Sequence, residues 1–263
     1  LLYWFLKWIG LGPALRVIWR PWIEGRENVP ARGGAILASN HLSFCDSFFM
    51  PLMMRRRVTF LAKAEYFTSP GIKGFLSRLF FSGVGQVPID RTSGGSAQGA
   101  LITGSRVLGE GRLLGIYPEG TRSPDGRLYR GKTGVARLAL QTGCPIVPIA
   151  MIGTDRLQPP GQTLPRLRPR PGARIGPALD APRTQWRAAQ AIGDAPTARR
   201  IERELTDALM KALADLSGQE YVDEYAADVK ARIAGPKAFG APKPGRRARL
   251  RATTARARRP RGR

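Results

Sequence analysis

Residues 35–54 read AILASNHLSFCDSFFMPLMM. The first five, Ala35 to Ser39, are small and apolar and suit a buried strand. From Asp46 to Met54 apolar residues dominate and a helix is expected, with Ser43 or Asp46 near its start. The loop between them holds His41, the single histidine of the chain. Loops at strand ends on a rigid scaffold commonly carry function. Imidazole accepts a proton near neutral pH, and a carboxylate on its other nitrogen would fix the tautomer. His41 with Asp46 is therefore a candidate oriented general base. The bland alternative is a structural loop histidine beside a helix cap, and the pair alone does not decide between them.

The alternation continues outward from this stretch. Val58–Ala62, Val84–Ile89, Arg112–Tyr117 and Ile146–Ile152 read as strands. Gly71–Phe81, Ser96–Leu108 and Thr133–Thr142 read as helices, the last two followed by Gly109 and Gly143. Strands separated by helices of this length imply βαβ units. The expected fold class is α/β, a mostly parallel (mixed) sheet flanked by helices. Residues 158–171 are rich in Pro and Arg and read as a loop. Arg174–Ile175 is a candidate further strand, Ala198–Leu216 a helix and Tyr221–Ile233 a last helix.

The chain has 263 residues and 43% hydrophobic content, enough for a sizeable core. Its formal charge of +24 implies attraction to polyanions: anionic membrane, nucleic acid, or anionic substrates and carriers. Pro236 to Arg263 carry eleven basic residues and no acid, so the body keeps +13. That tail, residues 236–263, reads as disordered, and either a solvated extension or an electrostatic anchor fits it. Two cysteines, Cys45 and Cys144, make no disulfide framework and no metal-ligand cluster, and free buried thiols are expected.

Residues 1–22, LLYWFLKWIGLGPALRVIWRPW, are apolar and aromatic but interrupted by Lys7, Arg16, Arg20 and Gly12-Pro13. They are marginal in length and too charged for a spanning helix, and no small-residue cleavage site follows. Two short interfacial helices are expected, tryptophans at headgroup level and basic residues toward phosphates. The competing reading is helices packed on the core. The domain division is then a membrane-interfacial segment at 1–24, a catalytic domain at 25–235 and the tail.

Further candidate residues stand at strand ends. Tyr117-Pro118-Glu119-Gly120-Thr121-Arg122-Ser123 follows the fourth strand. There Gly120 permits a positive φ or a close ligand approach, and Arg122 can grip a phosphate bidentately. Arg91 ends Val87-Pro88-Ile89-Asp90-Arg91, and Lys63 follows the strand at 58–62. Each alone reads equally well as solvated surface. Together they would place one base and three cations outside the carboxyl ends of the strands, where open α/β sheets bind ligands.

Asn40-His41-x4-Asp46, Val87-Pro88-Ile89-Asp90-Arg91, Tyr117-Pro118-Glu119-Gly120-Thr121-Arg122-Ser123 and Ile146-Val147-Pro148-Ile149 occur in this order. The series resembles the four blocks of the glycerolipid acyltransferases, and most the bacterial 1-acyl-sn-glycerol-3-phosphate (lysophosphatidate) acyltransferases, of an actinobacterial type. The likeness covers about residues 25–180. Tyr117 stands where Phe is commoner, and Pro88 where an aromatic is common. The arginine tail has no counterpart in the core family.

The resemblance implies that His41, oriented by Asp46, deprotonates the free hydroxyl of the acceptor, which attacks the thioester of acyl-CoA or acyl-carrier protein. Arg91 and Arg122, with Lys63, would bind the acceptor phosphate. Glu119 would hold the acceptor site together or contact the glycerol, and the Gly120–Thr121 backbone would supply oxyanion donors. The implied partners are lysophosphatidic acid, the acyl donor and an anionic membrane surface, with no cofactor, no metal and no specific nucleic-acid partner. The implied placement is peripheral or monotopic, on the cytoplasmic face of the cell membrane. Other readings are a glycerol-3-phosphate or other lysophospholipid acyltransferase, a hydrolase with Ser43 or Thr121 as nucleophile, and a non-catalytic basic protein binding membrane or nucleic acid.

Overall fold

The structure is a computed structural model that describes residues 2–62, 64–89, 95–159 and 161–234. Lys63, Asp90, Arg91 and the basic tail lie outside the described residues. The chain divides into two compact units, residues 1–227 and 228–263. The described part of the second, residues 228–234, is helical.

The first unit begins with helices α1 (Leu2–Trp8) and α2 (Leu11–Trp19) and strand β1 (Trp22–Glu24). Then come β2 (Ala35–Ser39), α3 (Asp46–Met53), β3 (Val58–Ala62), α4 (Glu65–Thr68), α5 (Gly71–Gly83) and β4 (Gln86–Pro88). They are followed by α6 (Ser96–Gly109), β5 (Leu113–Ile116), β6 (Leu128–Tyr129), α7 (Gly134–Thr142), β7 (Ile146–Ile152) and α8 (Thr154–Leu157). The last elements are β8 (Gly172–Ile175), α9 (Arg183–Ala191), α10 (Ala195–Ser217), β9 (Tyr221–Val222) and α11 (Ala226–Ala234).

Seven strands form a sheet in the order β1-β8-β7-β2-β5-β3-β4. All neighbours are parallel except β7 and β8. The expected α/β fold with a mixed, mostly parallel sheet is thus found. Strand β2 is central and wholly buried, as a continuous apolar run flanked on both faces should be. Its side chains alternate between two cores. Ile36 and Ala38 join Leu138 of α7 and Leu205, Leu209 and Leu213 of α10. Ala35 and Leu37 join Phe49, Met50 and Met53 of α3 on the other face.

The expected last helix from Tyr221 needs correction. Tyr221 and Val222 instead pair in parallel with Leu128 and Tyr129, and the helix starts at Ala226. The backbone groups of the 128–129 segment need partners, and the chain after α10 supplies them, with Leu128 N donating to Glu220 O at 2.9 Å.

The N-terminal segment forms two short helices, and they are both packed and exposed. Tyr3 and Lys7 are buried, whereas Trp4, Phe5, Trp8, Ile9, Val17 and Ile18 are exposed. Lys7 therefore corrects the expectation that the basic residues of this segment turn outward. Its ammonium donates to Pro51 O at 2.8 Å and to Met54 O, at the end of α3. Among the described residues no helix is long and apolar enough to cross a membrane.

Candidate active site

Strands β2 and β5 are parallel neighbours, so the segments that follow them emerge side by side at the carboxyl edge. The first carries His41, the second Tyr117 to Ser123. They are stitched together by backbone and carboxylate. Ser123 N donates to His41 O at 2.7 Å. Glu119 is buried, and its two oxygens accept from His41 N at 3.2 Å and Tyr129 N at 3.0 Å. It holds the histidine loop, the 117–123 turn and β6 in one arrangement.

His41 Nδ1 lies 2.9 Å from Asp46 Oδ2. The same oxygen accepts from Leu42 N and Ser43 N, each at 2.8 Å. An oxygen that accepts from two amides is fixed as an acceptor, so Nδ1 is the donor, and in the neutral ring the lone pair lies on Nε2. Asp46 is fully buried as the first residue of α3, while the His41 side chain is 15% exposed. The base can thus be reached from outside while its orienting partner is shielded.

The imidazole is also held from its face. The Tyr117 ring stacks on it at 3.8 Å between centroids and 9° between planes. Phe60 continues the stack at 5.6 Å from Tyr117. Gly115 makes room for Phe60, since a Cβ there would stand 2.4 Å from the ring. The Tyr117 hydroxyl pairs with Ser47 Oγ at 3.1 Å, one residue beyond Asp46. Burial first, then the nearby Asp46 carboxylate, pushes the Tyr117 phenol well above its ordinary pKa, so it stays a neutral partner.

Asn40 anchors the loop to the third central strand. Its side chain accepts from Met151 N at 2.7 Å and donates to Met151 O at 3.1 Å and to Gln219 Oε1 at 2.6 Å. Ser43 is buried, and its hydroxyl donates to Gln158 Oε1 at 2.9 Å. That bond turns Ser43 away from the role of a nucleophile activated by His41. Cys45 is buried and its thiol pKa is pushed up by burial; Cys144 is only half-buried, and both thiols are free.

The other expected site residues fall unevenly. Arg122 is exposed on the turn. Gly120 takes φ +71°, the left-handed region that favours glycine. Its N–H donates to Tyr117 O at 3.0 Å within the turn. Thr121 is half-exposed beside it. Lys63 and Arg91 lie outside the described residues. Among the described residues no group of three His, Cys, Asp or Glu side chains could hold a metal ion.

Sequence reading does not single out Asn40's partners, Phe60, Gly115, Gln158 or Lys132. Of these only Gly115, a glycine inside a strand, carries a local signal of close approach. Lys132 lies across the 117–123 turn, with Nζ and Cε 3.2 Å from where a Cβ on residue 120 would stand.

Known proteins are similar to this chain in sequence and in fold. A chloroplastic 1-acyl-sn-glycerol-3-phosphate acyltransferase of Arabidopsis thaliana is 36% identical over 140 residues, 53% of this chain and 38% of its own length. The 1-acyl-sn-glycerol-3-phosphate acyltransferase of Borreliella burgdorferi is 30% identical over 133 residues, 51% of each chain. The chain thus spans about half or less of the length of these curated relatives. The crystal structure of the 1-acyl-sn-glycerophosphate acyltransferase PlsC from Thermotoga maritima shares the fold, with a TM-score of 0.50 and 21% identity, over 81% of this chain and 87% of that one. The Acyltransferase family model matches residues 20–152, from before β1 to the end of β7. That span is half of the chain and contains the His41–Asp46 pair, the 117–123 turn and the strands that bring them together, so the chain belongs to the acyltransferase family.

Proposed function

We propose that this chain transfers an acyl group from acyl-CoA or acyl-carrier protein to the free hydroxyl of 1-acylglycerol-3-phosphate, giving phosphatidic acid. The observation that carries the reading is His41, with Nδ1 fixed by buried Asp46 and its ring clamped by Tyr117 beside the 117–123 turn. His41 Nε2 takes the hydroxyl proton as the oxygen attacks the thioester carbonyl. The tetrahedral intermediate collapses, the C–S bond breaks, and the proton passes from Nε2 to the leaving thiolate. No protein nucleophile is needed, because the donor arrives activated and the acceptor supplies the oxygen.

In this reading Arg122, with Lys63 and Arg91, binds the acceptor phosphate, and Glu119 orders the site rather than touching glycerol. The relatives named above come from a plant and two bacteria, and nothing in them supports an actinobacterial type specifically. The proposed placement is at a membrane surface, on its cytoplasmic face. Exposed Trp4, Phe5, Trp8 and Ile9 on α1 and Phe75, Leu76, Leu79 and Phe80 on α5 support it. Leu2 and Leu6 of α1 approach Gly83 at the end of α5, so the two apolar faces adjoin.

The test is the purified chain with acyl-CoA and a panel of acceptors, following thiol release and lipid product. Lysophosphatidate should be the preferred acceptor. His41→Ala should lower kcat by roughly 10²–10⁴, the usual worth of a positioned base, while keeping liposome binding. Turnover by that variant within tenfold of the parent would remove His41 as the base. Thiol release without an acceptor would point to a hydrolase.

A further inference from the structure

Several cations of the first unit are matched to acids. Arg127 pairs with Asp125, Arg112 with Glu110, Arg137 with Glu202 and Arg203 with Asp207. Lys132 is different. No acid pairs with it among the described residues, yet it does not stretch away from the body. Its backbone N–H donates to Pro118 O at 2.8 Å, which docks residue 132 against the 117–123 turn. Its side chain then runs over Gly120, with Cδ at 3.3 Å and Cε and Nζ at 3.2 Å from the place of a Cβ.

Two features of Gly120 are needed for this. Its φ of +71° shapes the turn, and its missing side chain leaves the space that the lysine fills. The ammonium therefore ends against the middle of the Glu119–Arg122 run. Glu119 already accepts from His41 N and Tyr129 N, so it ties the lysine's resting place to the base. An ammonium held on a turn that also carries exposed Arg122, and without an acid of its own among the described residues, suits a doubly charged anion.

We propose that Lys132 is an acceptor-specificity residue that binds the phosphate monoester of the glycerol acceptor alongside Arg122. The proposal rests on the reading of the acceptor as a glycerol phosphate. A lysine that only packs on the turn would support folding and leave phosphate recognition unchanged.

Calorimetric titration of the full chain with glycerol-3-phosphate tests the binding directly. Lys132→Gln should weaken it by about 10- to 100-fold, the range of a lost charge-assisted hydrogen bond. Lys132→Arg should recover most of it. Lys211→Gln removes a positive charge from the exposed face of α10, where Lys211 pairs with Asp215, and should leave the affinity unchanged. In transfer assays Lys132→Gln should raise the KM for lysophosphatidate about tenfold or more, with kcat changed far less. Its kcat/KM for a monoacylglycerol acceptor, which lacks the phosphate, should stay as in the parent. Equal glycerol-3-phosphate affinity in parent and Lys132→Gln overturns the assignment, as does an equal loss in Lys211→Gln. A parent that binds glycerol-3-phosphate but transfers nothing to lysophosphatidate would sink the reading of lysophosphatidate as the acceptor and leave the Lys132 site standing. A parent that does not bind glycerol-3-phosphate at all overturns the Lys132 site, while transfer to lysophosphatidate decides the acyl-transfer reading separately.

Discussion

Tyr117 shows how one side chain serves the base without chemistry of its own. Its ring covers the imidazole at 3.8 Å, and its hydroxyl reaches Ser47 Oγ on the first turn of α3, beside Asp46. The stack and the Asp46 bond constrain His41 in two directions, in the ring plane and across it. Removing the hydroxyl alone leaves the ring in place. Tyr117→Phe should therefore cost about 1 kcal/mol of stability, the net worth of a hydrogen bond in a half-buried site, and keep kcat within about threefold. Tyr117→Leu removes the stack and should lower kcat by more than tenfold. Denaturant melts and steady-state rates on the two variants check this; a Tyr117→Phe rate as low as that of Tyr117→Leu would mean that the hydroxyl, not the ring, positions His41. The sequence shows Tyr117 only as a substitute for a commoner Phe. Its partner Ser47 lies 70 positions away, and no local pattern marks such a pair.

At the scale of elements, α3 is a short rod gripped at both ends. Its first residue, Asp46, holds the base. Its last turn is held by the N-terminal helices, through Lys7 to Pro51 O and Met54 O, and through Arg16 to Leu52 O at 3.4 Å. Arg16 also donates to Lys7 O at 2.8 Å, and α2 crosses α1 so closely that a Cβ on Gly12 would collide with that carbonyl. The cation at a helix C-terminus is favourable, yet its burial is costly. Burial, with the positive charges of Arg16 and Arg26 adding to it, pulls the Lys7 pKa down to about 8 from 10.5. Below pH 8 both folded and unfolded chains hold the proton, and the folded state bears the full cost of the buried charge. Between about pH 8 and 10.5 the unfolded chain binds more protons, so this group makes stability rise with pH by as much as roughly 3 kcal/mol. Lys7→Met lacks that contribution. The stability of the parent relative to Lys7→Met, from urea melts at pH 7.5 and pH 10, should shift toward the parent at the higher pH. A shift the other way would mean that the charged form is the one favoured by its surroundings.

At the scale of the whole molecule, the fold was legible where physics repeats along the chain. The runs at 35–39, 58–62 and 146–152 have the burial that their apolar composition demands, and the helices between them begin and end within a few residues of expectation. Strands β6 and β9 were not legible, because two-residue strands exist only through each other. Helix α9 was missed because it is mostly polar and buries little besides Trp186 and Ala189. Of the site, the strand-end rule foretold that His41 and the 117–123 turn would meet. The clamps on them, Phe60 over Gly115 and Asn40 on Met151, come from chain segments distant in sequence. They follow from the order of the strands, which the apolar runs do not encode.

Two surface features of the molecule are also global. The apolar side chains on α1 and α5 adjoin, and the chain as a whole carries +24. These two features should contribute separately to membrane binding. Apolar insertion is insensitive to salt, and each large side chain moved out of water contributes roughly 1.5–3 kcal/mol. Attraction to anionic lipid is screened, because the Debye length falls from about 10 Å at 0.1 M salt to about 3 Å at 1 M. Flotation with anionic vesicles at low salt should recover nearly all of the protein, and 1 M salt should reduce but not abolish recovery. A Phe5→Ser, Trp8→Ser, Ile9→Ser triple variant keeps every charge and the hydrogen bonds of Lys7 to α3, and gives up the Trp8 ring that lies over Lys7 and Arg16. It should float at low salt and fail at high salt, since only the screened component is left to it. Full recovery of the triple variant at 1 M salt would show that the α1 face is not the inserting surface, and the same experiment repeated with Phe75→Ser and Leu76→Ser would then decide whether α5 bears the insertion alone.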